Sequence, residues 1–113
     1  MSNLPLYLAL ALLTAWFIAS KLGKVSPAKA HELVAAGARL VDVRSPGEFG
    51  DAHLPGAVNI PAPDVQKRAG EIGKPDSPVV VYCASGMRSA AAARTLKALG
   101  YSQVFDLGSM SRW

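Results

Sequence analysis

The sequence predicts a small α/β domain, a parallel sheet flanked by helices, preceded by one N-terminal transmembrane helix. Three observations carry this expectation. Strand and helix signals alternate from Val25 to Trp113, the pattern of a layered α/β unit. The run "VVVYC", Val79 to Cys83, is apolar with no polar alternation, as a central strand buried on both faces requires. Finally, all twelve Lys and Arg and all eight Asp and Glu lie from Lys21 onward. With 113 residues there is room for one small domain, so residues 1–24 read as an anchor with a basic flank and residues 25–113 as the domain.

The anchor comes first. "LPLYLALALLTAWFIASKLG" is apolar from Leu4 to Ala19 apart from Thr14, and Pro5 sits where an opening helical turn tolerates it. Extended to Leu22, such a helix would rise about 28 Å at ~1.5 Å per residue, close to the ~30 Å hydrocarbon core of a bilayer. A cleaved signal peptide wants a positive n-region, which this start lacks. A core helix would need partners that so short a chain hardly supplies. Residues 4–22 are therefore expected in the lipid bilayer, with Tyr7 and Trp16 near its interfaces. Lys21, Lys24 and Lys29 follow the span. By the positive-inside rule they make this a single-pass protein whose C-terminal domain faces the cytoplasm, Lys21 and Lys24 meeting lipid head groups. A solitary cysteine can form no intrachain disulfide, which suits a reducing compartment.

In the domain, "SPAKAHELVAAG" reads as a helix with Ser26 as N-cap, Pro27 in the first turn and Gly37 as its stop. "RLVDV", Arg39 to Val43, reads as a strand. Ser45 stands three residues before Glu48, the spacing of a capping box, so a short helical turn begins there. "AVNI" around Val58 is a brief strand. A link through Pro61 and Pro63 leads to "DVQKRAGEI", a helix interrupted by Gly70. After "VVVYC", the segment "RSAAAARTLKALG" carries Ala92, Leu96 and Leu99 at helical spacing and stops at Gly100. "QVFDL", Gln103 to Leu107, is the last strand.

Cys83 is the chain's one cysteine, and such a residue at the end of an apolar strand is more often a small buried hydrophobe than a nucleophile. Its position argues for the tool. Ligands of open α/β sheets bind beyond the C-terminal strand ends, where "CASGMRS" lies. Gly86 permits a backbone conformation in which successive N–H groups converge as an anion nest, and the next helix aims its positive end there. Arg88 adds a permanent charge and a donor fork, Ser85 and Ser89 add hydroxyls, and Ala84 and Met87 complete the loop. These features favour thiolate over thiol, the nucleophilic form, and would cradle an anionic substrate.

Taken together, "LVDVRSPGEFGDAHLPGAVNIP" (Leu40 to Pro61), "VVVYCASGMRS" and the terminal "DLGSMSRW" resemble the rhodanese family, in a single-domain, membrane-anchored form. The resemblance implies sulfurtransfer. Cys83 would take the sulfane sulfur of thiosulfate or a persulfide donor as a persulfide and pass it to a thiol or cyanide acceptor, with no cofactor and no metal. The loop residues Ala84, Ser85, Gly86, Met87, Arg88 and Ser89 would bind the substrate. Cysteine phosphatases and arsenate reductases that resemble this fold use C-x5-R, a loop sized for a tetrahedral oxyanion. Cys83 to Arg88 is C-x4-R, a tighter ring of donors that suits a sulfur atom, and no Asp is placed as a phosphatase general acid.

Other residues read as structural. Asp42, Arg44 and Glu48 form a brace beneath the loop, and His53, in "HLPG", belongs to a turn. His31 and His53 stand alone with one cysteine, which gives no metal spacing. The net charge of +4 is spread without aromatic interleaving, so no nucleic-acid partner is expected. Three departures from the family pattern stand out. Asp51-Ala52 precedes His53 where many relatives have glycine, and Ser109 replaces a second glycine, restricting the backbone. The chain also stops at Trp113, before the usual final helix or tail, which would leave an apolar face bare. The alternative function is a non-catalytic rhodanese-like binding or regulatory module, against which the presence of Cys83 argues.

Overall fold

The computed structural model describes residues 3–113, apart from the side chains of residues 14–22. The elements run α1 (Leu4–Leu22), α2 (Pro27–Ala35), β1 (Arg39–Asp42), α3 (Pro46–Asp51), β2 (Val58–Asn59), α4 (Val65–Arg68), β3 (Val79–Cys83), α5 (Met87–Ala98) and β4 (Val104–Ser109). Short 3-10 turns flank α4 at Ala62–Asp64 and Ala69–Glu71 and close the chain at Met110–Arg112. The expected helix over Asp64 to Ile72 is thus broken into three pieces, and Gly70 lies in the last of them, where glycine's backbone freedom weakens a continuous helix.

The four strands form one parallel sheet in the order β2-β1-β3-β4. All five residues of β3 are buried. Their alternation divides the core into two layers, because successive side chains of a strand leave opposite faces. Val79, Val81 and Cys83 join Val41, Ile60, Val65 and Leu96 on the α4 and α5 side. Val80 and Tyr82 join Ala30, Leu40, Leu54 and Leu107 on the α2 side, with Met110 and Trp113 packed against them. The apolar run is therefore central strand, buried by helices on both sides.

The local devices follow the residue types. Ser26 caps α2, accepting from the Lys29 N–H at 3.1 Å. Ser45 and Glu48 complete a reciprocal capping box at the start of α3. Between β3 and β4 the register slips by one residue after Val81, so that Tyr82 faces Gly108 and Cys83 faces Ser109. Gly108 takes up the bulge with φ +87°, a conformation costly for other residues. Ser109 needs no such freedom: it is extended and its side chain accepts from the Ser111 N–H at 3.2 Å.

The membrane expectation is overturned. Among the described residues no helix is long and apolar enough to cross a membrane. The uncharged apolar stretch Leu4–Ala19 amounts to about 24 Å of helix at ~1.5 Å per residue, short of the ~30 Å hydrocarbon core, and Lys21 follows it inside α1. The single-pass anchor, the bilayer contact through residues 4–22 and the cytoplasmic orientation of the domain lose their basis together. Lys24, expected at lipid head groups, instead donates to Asp106 Oδ2 at 2.8 Å. The interfacial role expected of Trp16 and the head-group role of Lys21 fall on side chains outside the described residues.

Candidate active site

β3 ends at Cys83, which is fully buried, and the chain turns through Ala84, Ser85 and Gly86 into α5. Gly86 is the N-cap of that helix, with φ +103°, so the turn depends on a residue without a Cβ. This conformation brings the Gly86 N–H to 2.9 Å from Cys83 Sγ. Ser89 sits one turn into α5 and is also buried. In the thiol form its hydroxyl accepts from Cys83 at 3.6 Å and gives its own proton to the Gly86 carbonyl at 3.1 Å; on ionisation the same hydroxyl can turn its proton to the sulfur.

Two effects oppose each other at the sulfur. Burial pushes the Cys83 thiol up, while the Ser89 hydroxyl and the backbone N–H groups of Ser89, Gly86 and Ser85 pull it down. The net result lies below the ordinary thiol value, because hydrogen bonds to a thiolate stabilise the charged form. The helix dipole of α5 acts in the same direction.

Of the loop residues expected at the site, Ser85, Gly86 and Ser89 converge on the sulfur. Ala84 is exposed, and Met87 is 80% exposed. Arg88 differs most from expectation. Its guanidinium is engaged, Nη1 donating to Glu48 Oε1 at 2.6 Å and Nη2 to Glu48 Oε2 at 3.0 Å. Glu48 was read as part of a brace with Asp42 and Arg44, and its capping-box role holds. Its second role, as partner to the loop arginine forty residues away, carries no mark in local sequence. The Arg88 guanidinium, followed by the Ser45 N–H, holds the Glu48 carboxyl down at about 2.

The remaining brace is as read. Asp42 is fully buried and accepts from the Arg44 backbone N–H at 2.9 Å, from Arg44 Nε and from Arg44 Nη2 at 2.7 Å. Asn59 donates to the Asp42 and Arg44 carbonyls, tying β2 to the same corner. His53 stacks on Phe49 and bonds its carbonyl through Nδ1 at 2.9 Å, as a turn residue would. A cavity of about 500 Å³ opens at the opposite end of β1 and β3, lined by Arg39, Leu40, Ser77 and Pro78 among others. It brings together no cysteine, histidine or carboxylate.

Residues 26–113 match the rhodanese-like domain family. The chain is 42% identical over 77 residues to an uncharacterised Bacillus subtilis protein, YqhL, matching 67% of this chain and 60% of that protein, so it spans about six-tenths of that relative's length. It is 36% identical over 102 residues to thiosulfate sulfurtransferase 16, chloroplastic, of Arabidopsis thaliana, covering 79% of this chain and 84% of the relative. Among solved structures, a human single-domain sulfurtransferase superposes with a TM-score of 0.72 at 29% identity, over 80% of this chain and 94% of that one. The parallel four-stranded sheet, the cysteine loop entering α5 and these matches converge: the chain belongs to the rhodanese-like domain family.

Proposed function

We propose that this domain is a rhodanese-type sulfurtransferase, with Cys83 as the residue that carries the sulfur. The observation that supports this best is the Gly86 N–H set 2.9 Å from Cys83 Sγ in a loop that opens α5. That donor, with those of Ser85 and Ser89, favours the thiolate for attack and would serve a persulfide anion equally. In the forward step the thiolate forms a bond to the outer sulfur of thiosulfate, the sulfur–sulfur bond of the donor breaks, and its electron pair leaves with sulfite. A thiol or cyanide acceptor then takes the outer sulfur and returns the thiolate. A persulfide donor fits the same step, its thiol leaving in place of sulfite. Gly86 and Ser89 lie against the sulfur; in this reading Arg88 would take the oxyanion part of an anionic donor, with Ser85 and the exposed Ala84 and Met87 completing the loop that binds it. Because Cys83 is fully buried, the loop must open over the sulfur for transfer.

The burial of Cys83 and the engagement of Arg88 favour one competing reading, a rhodanese-like module that binds or regulates without turnover. One experiment separates the two. The purified protein is incubated with thiosulfate and weighed intact, then treated with cyanide and assayed for thiocyanate. Sulfurtransfer requires a gain of one sulfur, mapped to Cys83, discharged by cyanide and absent in Cys83→Ser. An unchanged mass with thiosulfate and with a persulfide donor would leave the binding module as the reading.

A further inference from the structure

Arg88 is the loop's permanent cation, and both of its terminal nitrogens are bound to one carboxylate. That carboxylate is itself held in place, since Glu48 Oε1 also accepts from the Ser45 backbone N–H at 3.2 Å and from Ser45 Oγ at 3.0 Å. Glu48 is thus fixed at the start of α3 by its capping box. The pair remains within reach of solvent, the two side chains being 41% and 37% exposed, so it can exchange partners.

We infer that Glu48 is a donor-selecting residue: its carboxylate occupies the Arg88 guanidinium and has to be displaced before an anionic sulfur donor can engage that cation. The inference rests on the sulfurtransferase reading of the site and adds the charge rule by which the site ranks its donors. The charges around the sulfur set that rule. Arg88 is faced by Glu48, Asp42 and the Cys83 thiolate, and Arg44 by Asp42 and Glu48. Lys24, whose Nζ lies beside Gly86, is paired with Asp106, so all three cations already have carboxylate partners. A thiosulfate dianion therefore arrives at a corner whose cations are spoken for. Its transfer conserves charge, since a dianion enters and sulfite leaves as a dianion, so the penalty falls on engaging the donor and not on the bond exchange. A neutral reagent of the same size meets no such competition. Exposed ion pairs are of modest strength, so the carboxylate acts as a competitor of limited weight and the site is biased, not closed.

The test uses two alkylating reagents of nearly equal size that differ in charge, iodoacetate and iodoacetamide, together with thiosulfate. Rates of Cys83 alkylation are measured for the full chain and for Glu48→Gln, which keeps a side chain suited to the capping box. The ratio of the anionic to the neutral rate reports charge selection, because a change in the thiolate fraction moves both rates together. The expected result is a rise in that ratio of about fivefold in Glu48→Gln, with the half-saturating thiosulfate concentration for Cys83 persulfide formation falling at least as far. A ratio unchanged from the wild type, or two rates shifted by a common factor, would overturn the inference. If the ratio rises while thiosulfate loads neither protein, Glu48 still selects by charge and it is the thiosulfate reading that fails.

Discussion

Among the described residues, three ion pairs join lysine or arginine to carboxylates at or near the Cys83 end of the sheet, and they differ chiefly in burial. In Arg44–Asp42 the side chains are 8% and 0% exposed. In Lys24–Asp106 they are 25% and 8% exposed. In Arg88–Glu48 they are 41% and 37% exposed. Similar chemistry at three depths serves three purposes. A buried charge deprived of its partner is left in a poorly solvating medium, whereas an exposed one recovers water. The deep pair therefore belongs to the frame, and the shallow pair is free to take part in binding.

The largest expected effect comes from breaking the deep pair. Asp42→Ala deprives the buried Arg44 guanidinium of its carboxylate, leaving it the Ala52 carbonyl, and removes the acceptor of the Arg44 N–H. A loss of about 3–5 kcal/mol in unfolding free energy is expected by urea titration. A loss below about 1 kcal/mol would mean that the depth ranking is wrong.

Removing a neutral support of the same corner sharpens the comparison. Tyr82 is fully buried in β3, its hydroxyl accepts from the Leu54 N–H at 3.0 Å, and its ring lies beneath the Arg44 guanidinium. Burial drives the phenol well above its ordinary value, so it stays protonated through neutral pH. Tyr82→Phe leaves the Leu54 donor unmatched in the core, at a cost of about 1–3 kcal/mol. The same titration measures it, and a neutral result would show that water reaches the Leu54 N–H.

The middle pair ties the residue just after α1 to β4. The Lys24 stem also lies against Gly108, since a Cβ there would meet Lys24 Cδ at 3.3 Å. Lys24→Ala should therefore cost about 1–2 kcal/mol, between the buried and exposed limits. Asp106 keeps one partner, the Gly108 N–H at 2.8 Å, which holds the loss below that of Asp42→Ala.

What could be read from sequence, and what could not, divides along the same line. The strand "VVVYC", the Ser26 cap and the Ser45–Glu48 box are local, set by the residue types of one turn or one strand. The parallel sheet followed from the unalternated run, and the cysteine loop from its place after that run. The partners of Lys24 and Arg88 were not legible, because they lie 82 and 40 residues away and are brought together only by sheet order and the β4 bulge. For that reason the sequence assigns Arg88 to the anionic substrate and Lys24 to the basic flank at lipid head groups. The apolar start misled for another reason. Composition measures how hydrophobic a helix is, but a span also needs length, and Leu4–Ala19 falls short of it.

The smallest expected effect concerns the shallow pair and depends on pH. The Arg88 guanidinium and the Ser45 N–H hold the Glu48 carboxyl at about 2 in the folded protein, against roughly 4.3 for an unperturbed glutamate. A depressed folded value means that the ionised group favours the native state above the unfolded value, and that this support fades as pH falls toward the folded one. Melting temperatures of wild type and Glu48→Gln should therefore differ most above pH 5 and converge as pH approaches 2. The difference should stay small throughout, because both partners face solvent and are screened. A large difference at neutral pH would place Glu48 with Asp42 in the frame, and the contrast between a fixed deep pair and an exchangeable shallow one would then break down.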